Sequence, residues 1–256
     1  MNFKRIIACL DFFNGRIIKG IKFNNLIDIG DPLDVAEYYN DNGADELVIL
    51  DVSASIENKS QTLSFINKIC SKITVPLTVG GGVKSLEDFK NLFNSGADKI
   101  SINSHIINKP EFIKKIKFFY GSQCIIAALD IKRIFIDKNF IFWKIYKKSG
   151  KTDTKYNLFD LILKFSDLGV GEFLITSIDR DGTKLGFDKE LLEKISNISN
   201  LNIIASGGGG GLNSILEVLK IKNINSLLLA SIIHNKFYTI SHIKAFLLNS
   251  GINVKF

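Results

Sequence analysis

The feature that most constrains this chain is a regular alternation between short β-branched runs and longer segments of helical periodicity. Such alternation is typical of βαβ units, in which helices join parallel strands. Eight units favour a closed barrel over an open sheet, and 256 residues is the usual size of one α/β barrel. We therefore predict an α/β fold, a (β/α)8 TIM barrel, with a single domain over residues 1–256. The predicted strands are residues 5–11, 46–51, 75–80, 99–103, 123–130, 172–177, 202–206 and 226–230.

Helix-boundary signals fall between these strands. They are a capping side chain followed by proline, a capping box, and glycines just past the ends of helices. They predict helix starts at Asp31-Pro32, Ser85 and Asn108-Lys109-Pro110, and helix ends at Gly43, Gly96 and Gly121.

Two segments are longer than a minimal barrel needs. Residues 12–30 follow the first strand, and we expect a mobile loop there because Gly15, Gly20 and Gly30 give it conformational freedom. Residues 131–146 alternate apolar and polar side chains on both sides of Asp137-Lys138-Asn139, which predicts a β-hairpin after the fifth strand. Both would stand on the C-terminal face, where long structured loops are commonly functional.

The two halves of the chain resemble each other in four ordered places. In the clearest match, Ile-Ile-Ala-Cys-Leu-Asp at 6–11 is nearly repeated as Ile-Ile-Ala-Ala-Leu-Asp at 125–130. A duplicated half-barrel of four units accounts for the matches, so every feature of the site should occur twice. The other matches pair 43–49 with 169–175, 79–82 with 205–208, and 102–104 with 229–231.

Glycine clusters follow two strands that this duplication makes equivalent. Glycine-rich turns let backbone N–H groups approach an anion, and α/β barrels commonly bind phosphate at such turns. One cluster alone is equally well explained as a tight turn, but two at equivalent strands favour one elongated bisphosphate ligand. We call the two groups cradle A (Gly81, Gly82, Asn103, Ser104) and cradle B (Asp181, Gly182, Gly207, Gly208, Ala230, Ser231).

Asp11 and Asp130 end predicted strands one and five, which lie opposite each other in an eight-stranded barrel. A carboxylate at the C-terminal tip of a barrel strand usually belongs to the site; an aspartate that caps a loop is the alternative. Opposed carboxylates suit general acid–base catalysis, because one can donate a proton while the other accepts one. We therefore predict that both are catalytic.

Four further charges are predicted at the opposite end of the barrel. Because side chains alternate along a strand, Arg5 shares the inward face of Asp11. Glu46, Lys99 and Glu172 begin strands two, four and six, which predicts a charge-balanced ring across the barrel floor. Two interpretations stay open: a plug of salt bridges, or a gate that admits a small molecule from below.

Composition narrows the functional class. The formal net charge is +7, but the lysines are dispersed and form no basic stripe with aromatics, so we expect no nucleic-acid partner. No apolar run reaches the ~20 residues that cross a bilayer, and the first residues lack signal-peptide features. We expect a cytosolic protein without membrane contact. Cys9, Cys70 and Cys124 lack paired spacing and are predicted to be reduced core residues, not metal ligands.

Several motifs together resemble one enzyme family over essentially the whole chain. The motifs are Lys-Arg-Ile-Ile-Ala-Cys-Leu-Asp at 4–11, Val-Gly-Gly-Gly at 79–82, Ser-Ile-Asn at 101–103, Ser-Ile-Asp-Arg-Asp-Gly-Thr at 177–183 and Ile-Ala-Ser-Gly-Gly at 204–208. With them the chain resembles the cyclase subunit of imidazole glycerol phosphate synthase, from histidine biosynthesis. The isomerase barrel of the same pathway shares the repeat and the paired acids, but usually lacks the opening motif, the floor charges and Ile-Asp-Arg-Asp-Gly-Thr.

The resemblance implies a lyase that acts on the bisphosphorylated ribulosylformimino aminoimidazole carboxamide ribonucleotide. Ammonia from a glutamine amidotransferase subunit, docked on the N-terminal face as a heterodimer, would pass a gate formed by the four floor charges. Asp11 and Asp130 would be the acid–base pair, Lys19 would fold over the substrate, and no metal or redox cofactor is implied. Substrate and phosphate contacts are implied for Lys19, Gly81, Gly82, Asn103, Ser104, Thr176, Asp181, Gly182, Gly207, Gly208, Ala230 and Ser231.

The chain departs from the family pattern in a few places. Ser104 stands where the family commonly has Thr, which keeps the hydroxyl. Residues 207–211 are an unbroken glycine run where a small non-glycine residue is common, and we expect a looser, weaker cradle B. The alternatives are the isomerase, and a barrel kept as a structural or regulatory partner; the retained aspartates and cradles argue against the latter.

Overall fold

The computed structural model describes residues 3–21, 24–52, 59–135 and 141–256. The strands are β1 (Arg5–Phe13), β2 (Arg16–Ile21), β3 (Asn24–Gly30), β4 (Glu46–Asp51), β5 (Leu77–Gly80), β6 (Lys99–Ile102), β7 (Ile125–Phe135), β8 (Ile141–Lys147), β9 (Thr152–Asp153), β10 (Glu172–Ser177), β11 (Asn202–Ser206) and β12 (Ile224–Leu229). The helices are α1 (Pro32–Asp41), α2 (Lys59–Cys70), α3 (Leu86–Asn94), α4 (Ser104–Asn108), α5 (Phe112–Tyr120), α6 (Leu158–Leu168), α7 (Lys189–Ile198), α8 (Leu212–Leu219), α9 (Ser231–His234) and α10 (Ile240–Asn249), with a 3-10 turn at Ser122–Cys124.

Eight parallel strands close into a barrel in the order β1, β4, β5, β6, β7, β10, β11, β12, and β12 pairs back with β1. The predicted (β/α)8 TIM barrel is confirmed. Helices cover its outside, and the main apolar core lies between helices and strands. A second apolar cluster fills the barrel itself. It consists of Ile7, Cys9, Val48, Ile126, Ala128, Leu174, Ile204 and Leu228.

Several predicted strand boundaries are wrong by a few residues. The third strand begins at Leu77, after Pro76, which has no N–H for the ladder. The fifth begins at Ile125 because the 3-10 turn occupies the preceding residues. The fourth and eighth end one residue early, since Asn103 and Ala230 leave the ladder to start α4 and α9.

The helix signals behave largely as predicted. The Asp31 side chain accepts from the backbone N–H of Leu33, and Ser85 forms a complete capping box with Asp88. Gly121 follows α5 at a φ of 83°. The start of α5 is the exception: the helix begins at Phe112, two residues after the predicted proline.

The segment after β1 is not the loop we expected. Phe12 and Phe13 extend β1, which pairs antiparallel with β2, and β2 pairs in turn with β3. Asn14 and Gly15 form the turn with φ angles of 45° and 81°, as a two-residue type I′ hairpin turn requires. Gly15 therefore closes a tight turn instead of loosening a loop.

The hairpin predicted at 131–146 is confirmed. β7 continues past the barrel and pairs with β8, so that Asp130 lies opposite Tyr146. Asp137-Lys138-Asn139 lies outside the described residues. β1 is extended in the same way, with Asp11 opposite Ile18 of β2. The duplicated half-barrel itself stays a prediction. Within the described ranges, no helix combines the length and apolar character that a membrane span requires.

Candidate active site

Asp11 lies in a charged cluster at the mouth of the barrel. Oδ2 of Asp11 is 3.1 Å from Nζ of Lys19, and Oδ1 of Asp181 is 3.4 Å from the same nitrogen. Lys19 reaches both because β2 folds back along β1. Burial disfavours the ammonium, but the carboxylates of Asp11 and Asp181 outweigh it and raise the pKa of Lys19. Lys19 is therefore held as a cation between two acids.

Asp130 occupies a different environment on the opposite side of the barrel. Three barrel strands separate β1 from β7 in either direction around the sheet. Nδ2 of Asn103 donates to Oδ2 of Asp130 at 2.9 Å. Burial raises the pKa of Asp130 to about 7; the Asn103 hydrogen bond lowers it and the charge of Asp181 raises it. Asp130 therefore exchanges its proton near neutral pH.

The residues of cradle B lie together. They line one cleft together with Lys19, Lys184 and the end of the barrel interior. Gly207 and Gly208 have φ angles of 86° and 101°. A Cβ on Gly207 would lie 2.5 Å from the carbonyl oxygen of Ser177, so a side chain there would displace backbone.

The glycine run makes cradle B close-packed, not loose as we expected. A Cβ on Gly208 would lie 2.2 Å from the Gly186 carbonyl oxygen, and one on Gly210 would lie 1.8 Å from that of Lys184. Gly186 N–H also donates to the Gly208 carbonyl at 2.8 Å. The glycines therefore allow the loop that follows β10 to lie directly against the cradle.

Cradle A is joined to Asp130 and to the β8–β9 connection. Gly81 has a φ of 111°, and a Cβ there would lie 2.3 Å from the Asp51 carbonyl oxygen, whereas the space beside Gly82 is open. Oγ of Ser104 accepts from the backbone N–H of Lys148. Oδ1 of Asn103 is buried and receives no hydrogen bond from the described residues. Thr176, the remaining predicted contact, is in register with Asp130 on the neighbouring strand β10.

The predicted floor ring is present and closed. Arg5 contacts Glu46 at 2.8 Å and Glu172 at 2.5 Å, and Lys99 contacts the same two carboxylates at 2.9 and 3.3 Å. Two hydroxyl residues that we did not predict complete it. Thr78 donates to Glu46 at 2.6 Å, and Ser226 accepts from Nε of Arg5 at 2.8 Å. A polar residue within a buried strand was the signal that could have identified both.

A half-buried histidine behind Asp11 was also missed. Nε2 of His234 lies 2.9 Å from the Cys9 carbonyl, which can only accept, so this nitrogen carries the proton. Nδ1 therefore accepts from the Tyr39 hydroxyl at 2.7 Å. Burial lowers the pKa of His234 to about 4, so the ring is neutral at physiological pH. His234 joins α9, which begins at Ser231, to the strand that carries Asp11.

Metal ligation is not indicated in the described ranges, where no three His, Cys, Asp or Glu side chains are grouped to hold an ion. The described site consists of acids, two lysines and backbone-lined cradles.

Comparison with known proteins agrees with this geometry. The family model described as "Histidine biosynthesis protein" matches residues 5–239. Imidazole glycerol phosphate synthase subunit HisF of Clostridium botulinum (strain 657 / Type Ba4) is 42% identical over 252 residues, covering 98% of each chain. The chain belongs to the HisF family. HisF of Methanocaldococcus jannaschii is 40% identical, with 98% of each chain covered, and HisF of Prochlorococcus marinus (strain AS9601) is 41% identical, with 98% and 97% covered.

Membership of the HisF family makes this chain a cyclase subunit of imidazole glycerol phosphate synthase, in histidine biosynthesis. The name of these relatives describes a subunit, which implies an enzyme of more than one chain. Family membership excludes the alternative that the chain is the isomerase barrel of the same pathway.

Proposed function

We propose that this chain uses ammonia to convert the bisphosphorylated ribulosylformimino aminoimidazole carboxamide ribonucleotide into imidazole glycerol phosphate and aminoimidazole carboxamide ribonucleotide. The observation that carries the proposal is the pair of acids on opposite strands, one linked to cradle B through Lys19 and the other in direct contact with cradle A. Asp11 is joined through Lys19 to Asp181 of cradle B, and Asp130 accepts from Asn103 of cradle A. A ligand with a phosphate at each end would span the mouth and present its reacting centre to both acids.

The two acids would divide the proton transfers. Asp130 has a pKa raised to about 7 and can donate a proton near neutral pH, as a general acid should. Asp11 faces the ammonium of Lys19 and would accept a proton. Ammonia attacks the ribulosyl carbonyl of the substrate, and the carbonyl oxygen leaves as water. Ring closure onto the formimino carbon, with cleavage of its C–N bond to the carboxamide ribonucleotide, then releases the two products. Lys19, already in the cleft, would meet the substrate there.

Ammonia would enter from the floor. The ring of Arg5, Glu46, Lys99 and Glu172 closes the N-terminal end of the barrel, and the interior above it is lined by apolar side chains. A small neutral molecule passes an apolar interior more easily than an ion does, because charge is costly to desolvate there. We propose that the ring opens transiently as a gate.

The source of ammonia would be a glutamine amidotransferase subunit docked on the N-terminal face. Exposed phenylalanines support this position. Phe3 precedes β1 and is 57% exposed, while Phe118 and Phe119, near the end of α5, are 83% and 63% exposed. The rings of Phe118 and Phe119 lie 5.0 Å apart, and adjoining exposed apolar side chains are typical of a protein interface.

The experiment is ammonium-driven turnover. The purified chain, given the bisphosphate substrate and a high ammonium chloride concentration, should release aminoimidazole carboxamide ribonucleotide without any partner. Glutamine should replace ammonium only after an amidotransferase subunit is added. Absence of ammonia-dependent product would contradict the proposal.

A further inference from the structure

We propose that Lys184 is a phosphate-binding residue of cradle B, and that its ammonium leaves the ring of Phe237 when a phosphate occupies the cleft. This inference rests on the proposed bisphosphate substrate and names the side chain that balances the charge of one phosphate. Lys184 lines the same cleft as Gly207, Gly208 and Ser231.

The first argument is electrostatic. Three charged residues line the cleft within the described part of the chain: Lys19, Asp181 and Lys184. Lys19 and Asp181 are already paired with each other, and Lys19 also faces Asp11. A phosphate dianion that enters the cleft is therefore repelled by the carboxylate of Asp181, which is part of the lining. The remaining cation of that lining is Lys184, which makes no ion pair with the described residues.

The second argument is the position of the Lys184 backbone. Its carbonyl oxygen would lie 1.8 Å from a Cβ on Gly210, and the neighbouring Gly186 donates to the Gly208 carbonyl. Glycine at 208 and 210 thus lets the loop lie against the cradle on both sides of Leu185. The base of the Lys184 side chain is thereby fixed at the rim of the phosphate site.

Hydrogen bonds within residues 180–185 also hold the loop that carries Lys184 in place. The Thr183 hydroxyl donates to the Arg180 carbonyl at 2.7 Å and accepts from the N–H of Leu185 at 3.3 Å. The Arg180 guanidinium donates to the Leu185 carbonyl. Lys184 adopts a positive φ of 60°, which is uncommon for a residue with a side chain and which this bracing maintains. A rigid loop orders the backbone of Lys184 before a ligand arrives, so binding has only the side chain left to order.

The third argument is where the ammonium lies. Nζ of Lys184 is 3.8 Å from the ring centroid of Phe237, which is 57% exposed. A cation over an exposed ring is held weakly, whereas an ammonium–phosphate contact is a charge-assisted hydrogen bond. The ring therefore keeps the side chain extended beside the cleft without competing strongly against an anion.

The test is Lys184→Met in the ammonium-driven assay. We expect the KM for the bisphosphate substrate to rise about tenfold with kcat nearly unchanged, because one charged contact in the ground state and transition state alike is lost. Lys184→Arg should keep KM within about threefold, since the charge remains. The wild-type KM should also rise more steeply with salt than that of the Met variant.

The matched control is Lys220→Met, which removes the same charge from the exposed C-terminal end of α8, at the other end of the barrel. Its KM should match the wild type. An unchanged KM in Lys184→Met, or an equal rise in Lys220→Met, would overturn the assignment.

Isothermal titration with inorganic phosphate separates this inference from the proposed reaction. If the wild type shows no ammonia-dependent product, the proposed reaction fails, and the titration alone then decides the role of Lys184. Weaker phosphate binding in Lys184→Met but not in Lys220→Met supports that role, and equal binding in all three proteins rejects it.

Discussion

Nδ2 of Asn103 donates to Oδ2 of Asp130 at 2.9 Å, so a residue of cradle A directly contacts a proposed catalytic acid. Asn103 directly follows β6, and Asp130 lies in the neighbouring strand β7. A ligand that draws the Asn103 side chain toward itself would alter the hydrogen bonding of Asp130. Cradle and acid are therefore one unit on this side of the mouth.

This contact predicts a shift in the pH profile of Asn103→Ala. The Asn103 hydrogen bond lowers the pKa of Asp130, so its loss should raise that pKa further above about 7. If protonated Asp130 is the acid, activity falls as pH rises through its pKa, and this limb should move to higher pH in the variant. The measurement is kcat against pH at a constant concentration of free ammonia. A limb that stays in place would show that Asp130 is not the titrating acid.

Asp130→Asn should lower the activity of the enzyme and raise its stability above neutral pH. We expect kcat to fall by ~10²–10⁴-fold, the usual contribution of general acid–base catalysis, while substrate binding persists. The folded-state pKa of about 7 exceeds the ordinary 3.8, so the folded protein binds more protons than the unfolded chain between these values. Stability is therefore lost as pH rises through this window.

Asp130→Asn has no titrating carboxyl at this position, so its stability should not fall as pH rises through this window. Allowing for water at the half-buried site, it should be more stable than the wild type by about 1–2 kcal/mol at pH 8, and nearly equal at pH 4. Urea unfolding at both pH values measures the difference. For Asp11→Asn we expect a similar fall in kcat. Wild-type turnover in either variant would contradict the acid–base assignment.

Glu46→Gln should destabilise the floor. Glu46 is 1% exposed and accepts from Arg5, Lys99 and Thr78, so its neutralisation leaves two cations sharing the remaining carboxylate of Glu172. Removing one partner from a buried ionic network costs about 3–5 kcal/mol. The control is Glu217→Gln, which breaks an exposed pair with Lys189 and should cost less than about 1 kcal/mol. Equal urea midpoints for the two variants would show that the ring does not stabilise the fold.

Gly210→Ala and Gly211→Ala form a second matched pair. A Cβ at 210 would lie 1.8 Å from the Lys184 carbonyl oxygen, whereas nothing lies within 4 Å of one at 211. Gly210→Ala should displace the loop that carries Lys184, raise the substrate KM and cost about 1–3 kcal/mol of stability, as overpacking does. Gly211→Ala, at the N-cap of α8, should leave KM unchanged and cost only about 0.5–1 kcal/mol of stability, because Ala caps a helix less well than Gly. If cradle B were loosely packed, Gly210→Ala would change KM and stability no more than Gly211→Ala does.

The barrel could be predicted from the sequence because eight alternating strand and helix patterns determine the fold. Alternation along β1 also placed Arg5 on the floor and Asp11 at the mouth correctly, since side chains on one face of a strand repeat every second residue. The Asn14-Gly15 turn was the missed local signal: it is a strong hairpin dipeptide, but we weighed only the flexibility of glycine.

The contacts that organise the site depend on tertiary structure. Lys19 meets Asp181 across 162 positions of the chain, and His234 meets Cys9 across 225. No local pattern encodes such pairs, because they depend on how the hairpin and α9 lie on the finished barrel. The close packing of Gly210 against Lys184 is hidden for the same reason.

The most direct measurement of the central claim is a crystal structure of this chain soaked in inorganic phosphate. We expect one phosphate at Gly82 and Ser104 and a second at Gly208 and Ser231, with the carboxyl groups of Asp11 and Asp130 facing the space between them. A single occupied cradle, or carboxyl groups turned out of the barrel mouth, would contradict the account.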